Sequence, residues 1–251
     1  MSRLARRLLG ISGDAYGPVV LADGPYAYWR LDEVSGAVAA DSGGNRRHGA
    51  YVAPVSLAEH TLLPALPAAR YVSMSGPGSG YVDVSAANQF CAGTDWSLEC
   101  WINVLAFLVL PDNYGCALMS SQTAPGGTTG WTISASESPR GVMTYYTANL
   151  VNLGVHCTLP LTLAHFAAVY TGENQTLSAY LDGQFTGTQY GGDALPPLIE
   201  AGLYIGAAAL GAGTLDGLIG EFAVYDYALT AGQILRHYNA GMGATPANQH
   251  D

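Results

Sequence analysis

Downstream of Val19 the chain is a succession of short apolar or alternating runs, each closed by Gly, Pro, Asn or Asp. Tyr26–Leu31, Tyr81–Val84, Trp96–Ile102, Gly130–Ser134, Val142–Tyr146, His165–Tyr170 and Leu177–Leu181 are the clearest. Runs of this length, rich in β-branched and aromatic residues, predict an all-β sandwich or barrel. Gly172–Gln175 separates one pair of runs, and Asp182-Gly183 predicts a two-residue hairpin because both positions tolerate positive φ. Pro54–Pro67 predicts a surface excursion. One helix is expected near the end. Thr230-Ala-Gly-Gln233 has the form of a capping box, Ile234, Leu235 and Tyr238 form an apolar face, and Gly241 suits a left-handed stop.

The first 20 residues read as a separate arm. Leu4, Leu8 and Ile11 fall on one helical face with Arg3, Arg6 and Arg7 beside them, before a break at Gly13–Pro18. The segment is either a partner-docking arm or a frayed tail. The division that follows is an arm over 1–20, a β body over 21–241 and a tail over 242–251.

Composition narrows the function classes. Only 11% of the 251 residues are charged, 49% are hydrophobic and Gly numbers 32. An ordinary domain carries about 25% charge, so this chain builds a core under an unusually neutral surface and is not disordered. The formal net charge of −10 lacks the basic stripe of a nucleic-acid binder. The longest apolar run, Val104–Leu110, is too short to span a bilayer. All nine basic residues are Arg, which reads as coding bias in a high-GC genome and leaves sheet edges without Lys. Cys91, Cys100, Cys116 and Cys157 form no C-x-x-C pair, so they read as reduced core residues rather than zinc ligands. The apolar stretch before Gly10 is shorter than the roughly 7–15 residues of a secretory signal.

Several segments, taken in order, resemble one family. They are Tyr26–Glu33 with Ser35-Gly36 and Asp41–Gly49; Trp96–Ile102; Ala164–Gly172 with Leu177–Gly183; and Leu203–Gly206, Leu215–Tyr225 and Tyr227–Thr230. Over roughly residues 21–241 the chain resembles the laminin-G-like, concanavalin-A-like jelly-roll family. The resemblance implies an all-β, two-sheet antiparallel β-sandwich with one short C-terminal helix. Trp96, Leu98, Cys100 and Ile102 would then share one strand face, and Ser97, Glu99, Trp101 and Asn103 the other. One face would lie in the core and the other on a concave surface. The architecture hosts lectins, hydrolases, adhesins and structural modules, so fold alone does not settle function.

Glycoside hydrolysis needs two carboxylates flanking the scissile bond, and relatives carry them as E-x-D-x-x-E. Here Glu99 is followed by Cys100-Trp101 and Glu221 by Phe222-Ala223. The sequence also lacks G-x-S-x-G and H-E-x-x-H, so it reads as non-enzymatic. The resemblance further implies a structural calcium ion at Asp41, Asn45 and Glu221, although Gly220 stands where the family has Asp. The alternative is that Glu221 accepts hydrogen bonds from backbone N–H groups of the Asp41–Gly49 loop. Asp32-Glu33 is open between ligand, turn former and partner of Arg30. Glycan binding would use an exposed ring, and Trp101, Trp131, Tyr145, Tyr146 and Tyr190 are the candidates, against the alternative of packing. His165 reads as a structural hydrogen-bonding residue.

The phrase Asp23–Leu31 resembles openings of minor tail and capsid-decoration proteins of bacteriophages infecting high-GC hosts. That implies a non-catalytic virion-surface protein, assembled in the host cytoplasm without a signal. It would be held to capsid or tail partners by Arg3, Leu4, Arg6, Arg7, Leu8 and Ile11. The same reading includes a homo-oligomer and host cell-wall glycans as ligands, and no nucleic acid or membrane span. The alternatives are a secreted bacterial carbohydrate-binding module and a divergent glycoside hydrolase.

Overall fold

Alternation in Trp96–Val104 builds the centre of the molecule. In the computed structural model this segment is strand β7, and its two faces are buried in two different cores. The structure describes residues 14–76, 78–91, 94–106, 116–121, 131–137, 140–146, 161–190, 202–207 and 214–244, with backbone alone at some strand positions. Cys157, Arg3, Leu4, Arg6, Arg7, Leu8, Ile11 and the 245–251 part of the tail lie outside the described residues.

Before β7 come helix α1 (Gly17–Ala22), β1 (Ala27–Trp29), β2 (Val38–Ala39), β3 (Gly49–Val52), β4 (Ser56–His60), β5 (Tyr71–Ser75) and β6 (Tyr81–Asp83), followed by a 3-10 turn over Ser85–Cys91. After it come β8 (Cys116–Ser120), β9 (Trp131–Glu137), β10 (Arg140–Tyr146), β11 (Leu163–Thr171), β12 (Thr176–Leu181), β13 (Gln184–Tyr190), β14 (Tyr204–Ile205), β15 (Asp216–Tyr225) and helix α2 (Ala231–Gly241). The strands form two antiparallel sheets. Sheet A runs β13-β12-β11-β7-β15-β5-β4, with β1 also on β15, and sheet B runs β10-β9-β8-β14-β6-β3-β2. This is the two-sheet sandwich expected.

Between the sheets lie Trp96, Leu98, Cys100, Ile102 and Val104 from β7, facing Tyr51, Val82, Ile205, Met119 and Ile133 of sheet B. The sheet-B set is one cross-strand row, since Tyr51 pairs with Val82, Val82 with Ile205, Ile205 with Met119 and Met119 with Ile133. Each fully buried aliphatic side chain of this kind stabilises by about 1.5–3 kcal/mol. Cys100 is a free, buried thiol, as expected of a core cysteine.

The opposite face of sheet A is also covered, which the sequence reading had left open to solvent. A second core joins Trp101, Ala167, Val169, Leu218, Ala223 and Tyr225 of the sheet to Tyr16 and Val20 of the α1 segment, Leu62, Leu63 and Leu66, and Ile234 of α2. Sheet A is therefore the middle of three layers. Two expectations change accordingly. Pro54–Pro67 is not a surface excursion, because it contributes the edge strand β4 and then buries three leucines. The boundary at residue 20 also moves, because Asp14 caps the turn through the N–H groups of Tyr16 and Gly17, and Tyr16 and Val20 are fully buried.

Turns and caps follow their local chemistry. Asp182 and Gly183 adopt φ of 51° and 75° in the β12–β13 hairpin. Thr230 accepts from the Gln233 N–H while Gln233 Oε1 accepts from the Thr230 N–H, the expected capping box. The left-handed stop is Gly243, at φ 72°, rather than Gly241. Gly241 lies inside α2, at a position where a Cβ would come within 2.2 Å of the Trp101 ring.

Candidate functional site

Four polar assemblies stand out on this scaffold. The first is the Asp41 loop. Asp41 accepts from the N–H groups of Tyr28, Gly43 and Arg47 at 2.8–3.0 Å, which ties the loop to β1. Asn45 donates its amide to the Tyr26 carbonyl, and Trp29 Nε1 donates to the Arg47 carbonyl.

Glu221 belongs to a second assembly. It sits at φ 52° in a bulge, where β15 changes its pairing from β5 to β1. Its N–H donates to the Arg30 carbonyl at 2.9 Å. Its carboxylate accepts from the hydroxyls of Tyr28 and Tyr71 and from Arg30 Nη2 at 3.1 Å. Arg30 also pairs with Asp14 and Asp32. Burial pushes the Glu221 carboxyl up to about 7, with Arg30 pulling against it. Gly220 is explained here, since a Cβ would meet the Tyr71 ring at 2.3 Å. The Asp expected from the family has no room.

These contacts decide the calcium question for the residues present. Asp41 and Asn45 organise one loop, whereas Glu221 is consumed by two phenols and a guanidinium. Calcium wants six to eight oxygen ligands, and this set does not fit it. Among the described residues no three His, Cys, Asp or Glu side chains are grouped to hold a metal ion. The alternative partner set for Glu221 is corrected too, because its donors are side chains, not the N–H groups of the 41–49 loop.

The third assembly lies beneath α2. Glu99 projects from β7 into the second core and is fully buried. Both its oxygens lie 2.8–2.9 Å from His237 Nδ1, and Tyr225 donates to Oε1 at 2.6 Å. His237 Nε2 lies 2.9 Å from Asp23, which also receives Arg236. With a carboxylate against each ring nitrogen, both nitrogens donate and the ring is an imidazolium. Burial alone would raise the Glu99 carboxyl, but His237 and His165 hold it well below the ordinary carboxylate range. Burial would lower His237, yet Glu99 and Asp23 hold it above its ordinary value. His165 Nε2 stands 3.3 Å from Glu99 without the alignment of a hydrogen bond. The sequence reading missed this clasp. The available signal was a histidine one turn from Ile234 on the apolar face of α2, opposite a mid-strand glutamate.

Trp101 is not a sugar platform. It is buried, stacked on Tyr238 at 5.9 Å and flanked by Tyr16 and His165. Trp131 pairs with Tyr146, and Tyr145 with Thr132, in the β9–β10 ladder, while Tyr190 ends β13; the side chains of these four lie outside what is described.

The fourth assembly is on the face of sheet B turned away from the sandwich core. In register across five strands run Ala50, Asp83, Tyr204, Ser120 and Thr132. Tyr204 meets Tyr81 edge to face at 5.4 Å, and Gly202 packs against its hydroxyl, where a Cβ would come within 2.2 Å. Burial, then Asp83 and Tyr81, raise the Tyr204 hydroxyl. Ser120 Oγ and Thr132 Oγ1, cross-strand neighbours, are buried without a hydrogen-bond partner. Aromatic edges beside unpaired hydroxyls and a carboxylate offer polyhydroxylated ligands both apolar and hydrogen-bonding contact.

Comparison with known proteins agrees with this architecture. A family model described as the concanavalin A-like lectin/glucanases superfamily matches residues 76–235. No curated protein matches the chain by sequence. Among solved structures, domain 4 of AbnA, a GH43 extracellular arabinanase from Geobacillus stearothermophilus in complex with arabinotriose, superposes with a TM-score of 0.59 at 15% identity. That match covers 85% of this chain and 98% of that one. The CBM40 of a Ruminococcus gnavus IT-sialidase, bound to α2,3 sialyllactose, gives 0.54 at 16% identity over 65% of this chain and 94% of that one. A Trypanosoma rangeli sialidase in complex with sialic acid gives 0.60 at 16% identity over 89% of this chain but 34% of that one. At these identities the likeness is one of fold.

Proposed function

We propose that this chain, which belongs to the concanavalin A-like lectin/glucanases superfamily, is a non-catalytic carbohydrate-recognising module carried on a bacteriophage particle. One observation carries the recognition half. Ser120 and Thr132, both fully buried, carry unpaired hydroxyls in the cross-strand row that continues through Tyr204, edge to face with Tyr81, to the half-buried Asp83. A buried hydroxyl without a partner costs about 1–3 kcal/mol, and such a cost is commonly retained where a ligand supplies the partner. Neighbours of the same fold named as bound to arabinotriose and sialyllactose support a glycan as that ligand.

The non-catalytic half rests on the two mid-strand glutamates. General acid–base chemistry needs carboxylates that reach substrate and exchange protons with it. Glu99 and Glu221 instead face the covered side of sheet A, where histidine, tyrosine and arginine already occupy their oxygens. The virion half rests on the likeness of Asp23–Leu31 to phage surface proteins and on the basic, apolar-striped segment before Asp14.

The test uses host cell-wall polysaccharide. Wild-type protein should sediment with it and release no reducing ends on prolonged incubation. Thr132→Val, which removes a hydroxyl at constant shape, should weaken binding several-fold while leaving the melting temperature unchanged or higher. Sustained release of reducing ends, or undiminished binding by Thr132→Val together with Ser120→Ala, would overturn the reading.

A further inference from the structure

A hydroxyl-lined depression lies on the other sheet. Pro54, Ser56, Ser73, Ser75, Gly78 and Ser79 line a half-open depression of about 240 Å³ at the β4–β5 edge of sheet A, with Ser73 and Ser79 half-buried and the others exposed. We propose that this serine pocket binds a single neutral sugar ring; the proposal rests on the reading of the chain as a carbohydrate-recognising module.

The sequence places the hydroxyls by strand alternation. Ser73 and Ser75 flank the inward Met74, and Ser56 is the cross-strand partner of Ser73. The fourth, Ser79, comes from a glycine-rich segment whose described residues are tied down. Gly76 donates to the Leu215 carbonyl at 3.0 Å, Ser79 donates to Gly76 at 2.9 Å and Gly80 donates to Pro54, while Thr214 donates to the Gly76 carbonyl. Gly80 is required, because a Cβ would lie 1.8 Å from the Val52 carbonyl oxygen. The described residues of this wall, Gly76, Ser79 and Gly80, are thus held by packing and backbone hydrogen bonds before any ligand arrives.

The hydroxyls are uncommitted. Ser79 Oγ is buried without a partner, and those of Ser56, Ser73 and Ser75 bond to no other described residue. Each offers one donor and two acceptor lone pairs, which matches a ligand whose own groups both donate and accept. Charge excludes other ligands. Among the described lining residues there is no Arg or His, and Asp216 stands directly across from Ser75 on β15, where cross-strand partners share a face. That carboxylate repels phosphates and carboxylates but accepts from sugar hydroxyls. Among the described lining residues Pro54 is the one apolar side chain, so a hydrophobic ligand would strand the serines. The volume falls below the roughly 300–1,000 Å³ of drug-sized sites, which suits one ring rather than a chain.

The probes are D-galactose, D-glucose, L-arabinose and N-acetylglucosamine, titrated separately into the ¹⁵N-labelled full chain. At least one should move the amides of Ser73, Ser75 and Ser79 saturably. Ser73→Val, a strand-favouring change at a half-buried position, should weaken that sugar about tenfold, the loss expected for one or two hydrogen bonds. Wild-type binding to cell-wall polysaccharide should survive in this variant. If the polysaccharide binds but no sugar moves the pocket amides, or Ser73→Val leaves the shifts intact, the pocket proposal falls alone. If neither polysaccharide nor any of the four sugars binds, the carbohydrate reading falls with it.

Discussion

At the scale of single residues, glycine does more here than break strands. Gly241 sits against the Trp101 ring and Gly220 against Tyr71, each with less than 2.5 Å for a Cβ. Neither position has positive φ, so the demand is one of space and not of backbone conformation. Gly241→Ala should therefore destabilise despite the better helix propensity of Ala. Overpacking of this kind costs about 1–3 kcal/mol, which chemical denaturation would register as a lower midpoint at unchanged slope. An unchanged midpoint would mean that α2 lifts freely off the sheet. The sequence shows a glycine near the end of an amphipathic run, and local chemistry reads it as a stop. The reason it is glycine lies on β7, 140 positions away in the chain, and no local rule reaches that far.

At the scale of elements, what is legible depends on whether the cause is local. Asp182-Gly183 and Thr230-Gln233 carry their hydrogen-bonding logic within four residues, and both formed as read. The two faces of β7 were also separable, because alternation is a property of one strand. What covers the second face was not legible, since α1, the leucines at 62, 63 and 66, and α2 come from three distant segments. The clasp between α2 and the sheet shows the energetic consequence. His237 has its folded pKa raised above the ordinary 6.5, so its contribution is complete below that value and is lost as pH rises through the folded pKa. Glu99 is lowered from 4.5, so its contribution holds above that value and is lost as pH falls. Glu221, raised from 4.5 to about 7, favours the protonated fold and penalises rising pH between those values. Together the three place the maximum of stability near pH 4.5: Glu99 lowers it below that value, Glu221 lowers it from there to about pH 7, and His237 adds to the loss above 6.5. Melting temperature should fall from pH 5.5 to 8.5, and His237→Asn and Glu221→Gln should each flatten that slope. A profile in the double variant as steep as in the wild type would remove these groups as its cause.

At the scale of the whole molecule, the three-layer arrangement changes where the leading segment ends. A sandwich whose outer face was open would tolerate loss of everything before Ala22. Here Tyr16 and Val20 are fully buried, Asp14 bonds Arg30, and Asp23 joins His237 and Arg236. Removing 1–13 leaves these contacts whole. Removing 1–22 exposes Trp101 and Tyr28 and takes away two buried side chains worth about 1.5–3 kcal/mol each. The shorter truncation should melt within a degree or two of the full chain, whereas the longer one should lose several kcal/mol by denaturant titration. The pair also separates anchoring from folding. If Arg3, Leu4, Arg6, Arg7, Leu8 and Ile11 dock the module on a particle, the 1–13 truncation should fold normally, bind polysaccharide normally and be missing from purified particles. Its presence there at full stoichiometry would assign attachment to the β body, where the uncharged edge strand β13 and its exposed Phe185 would be the next surface to mutate.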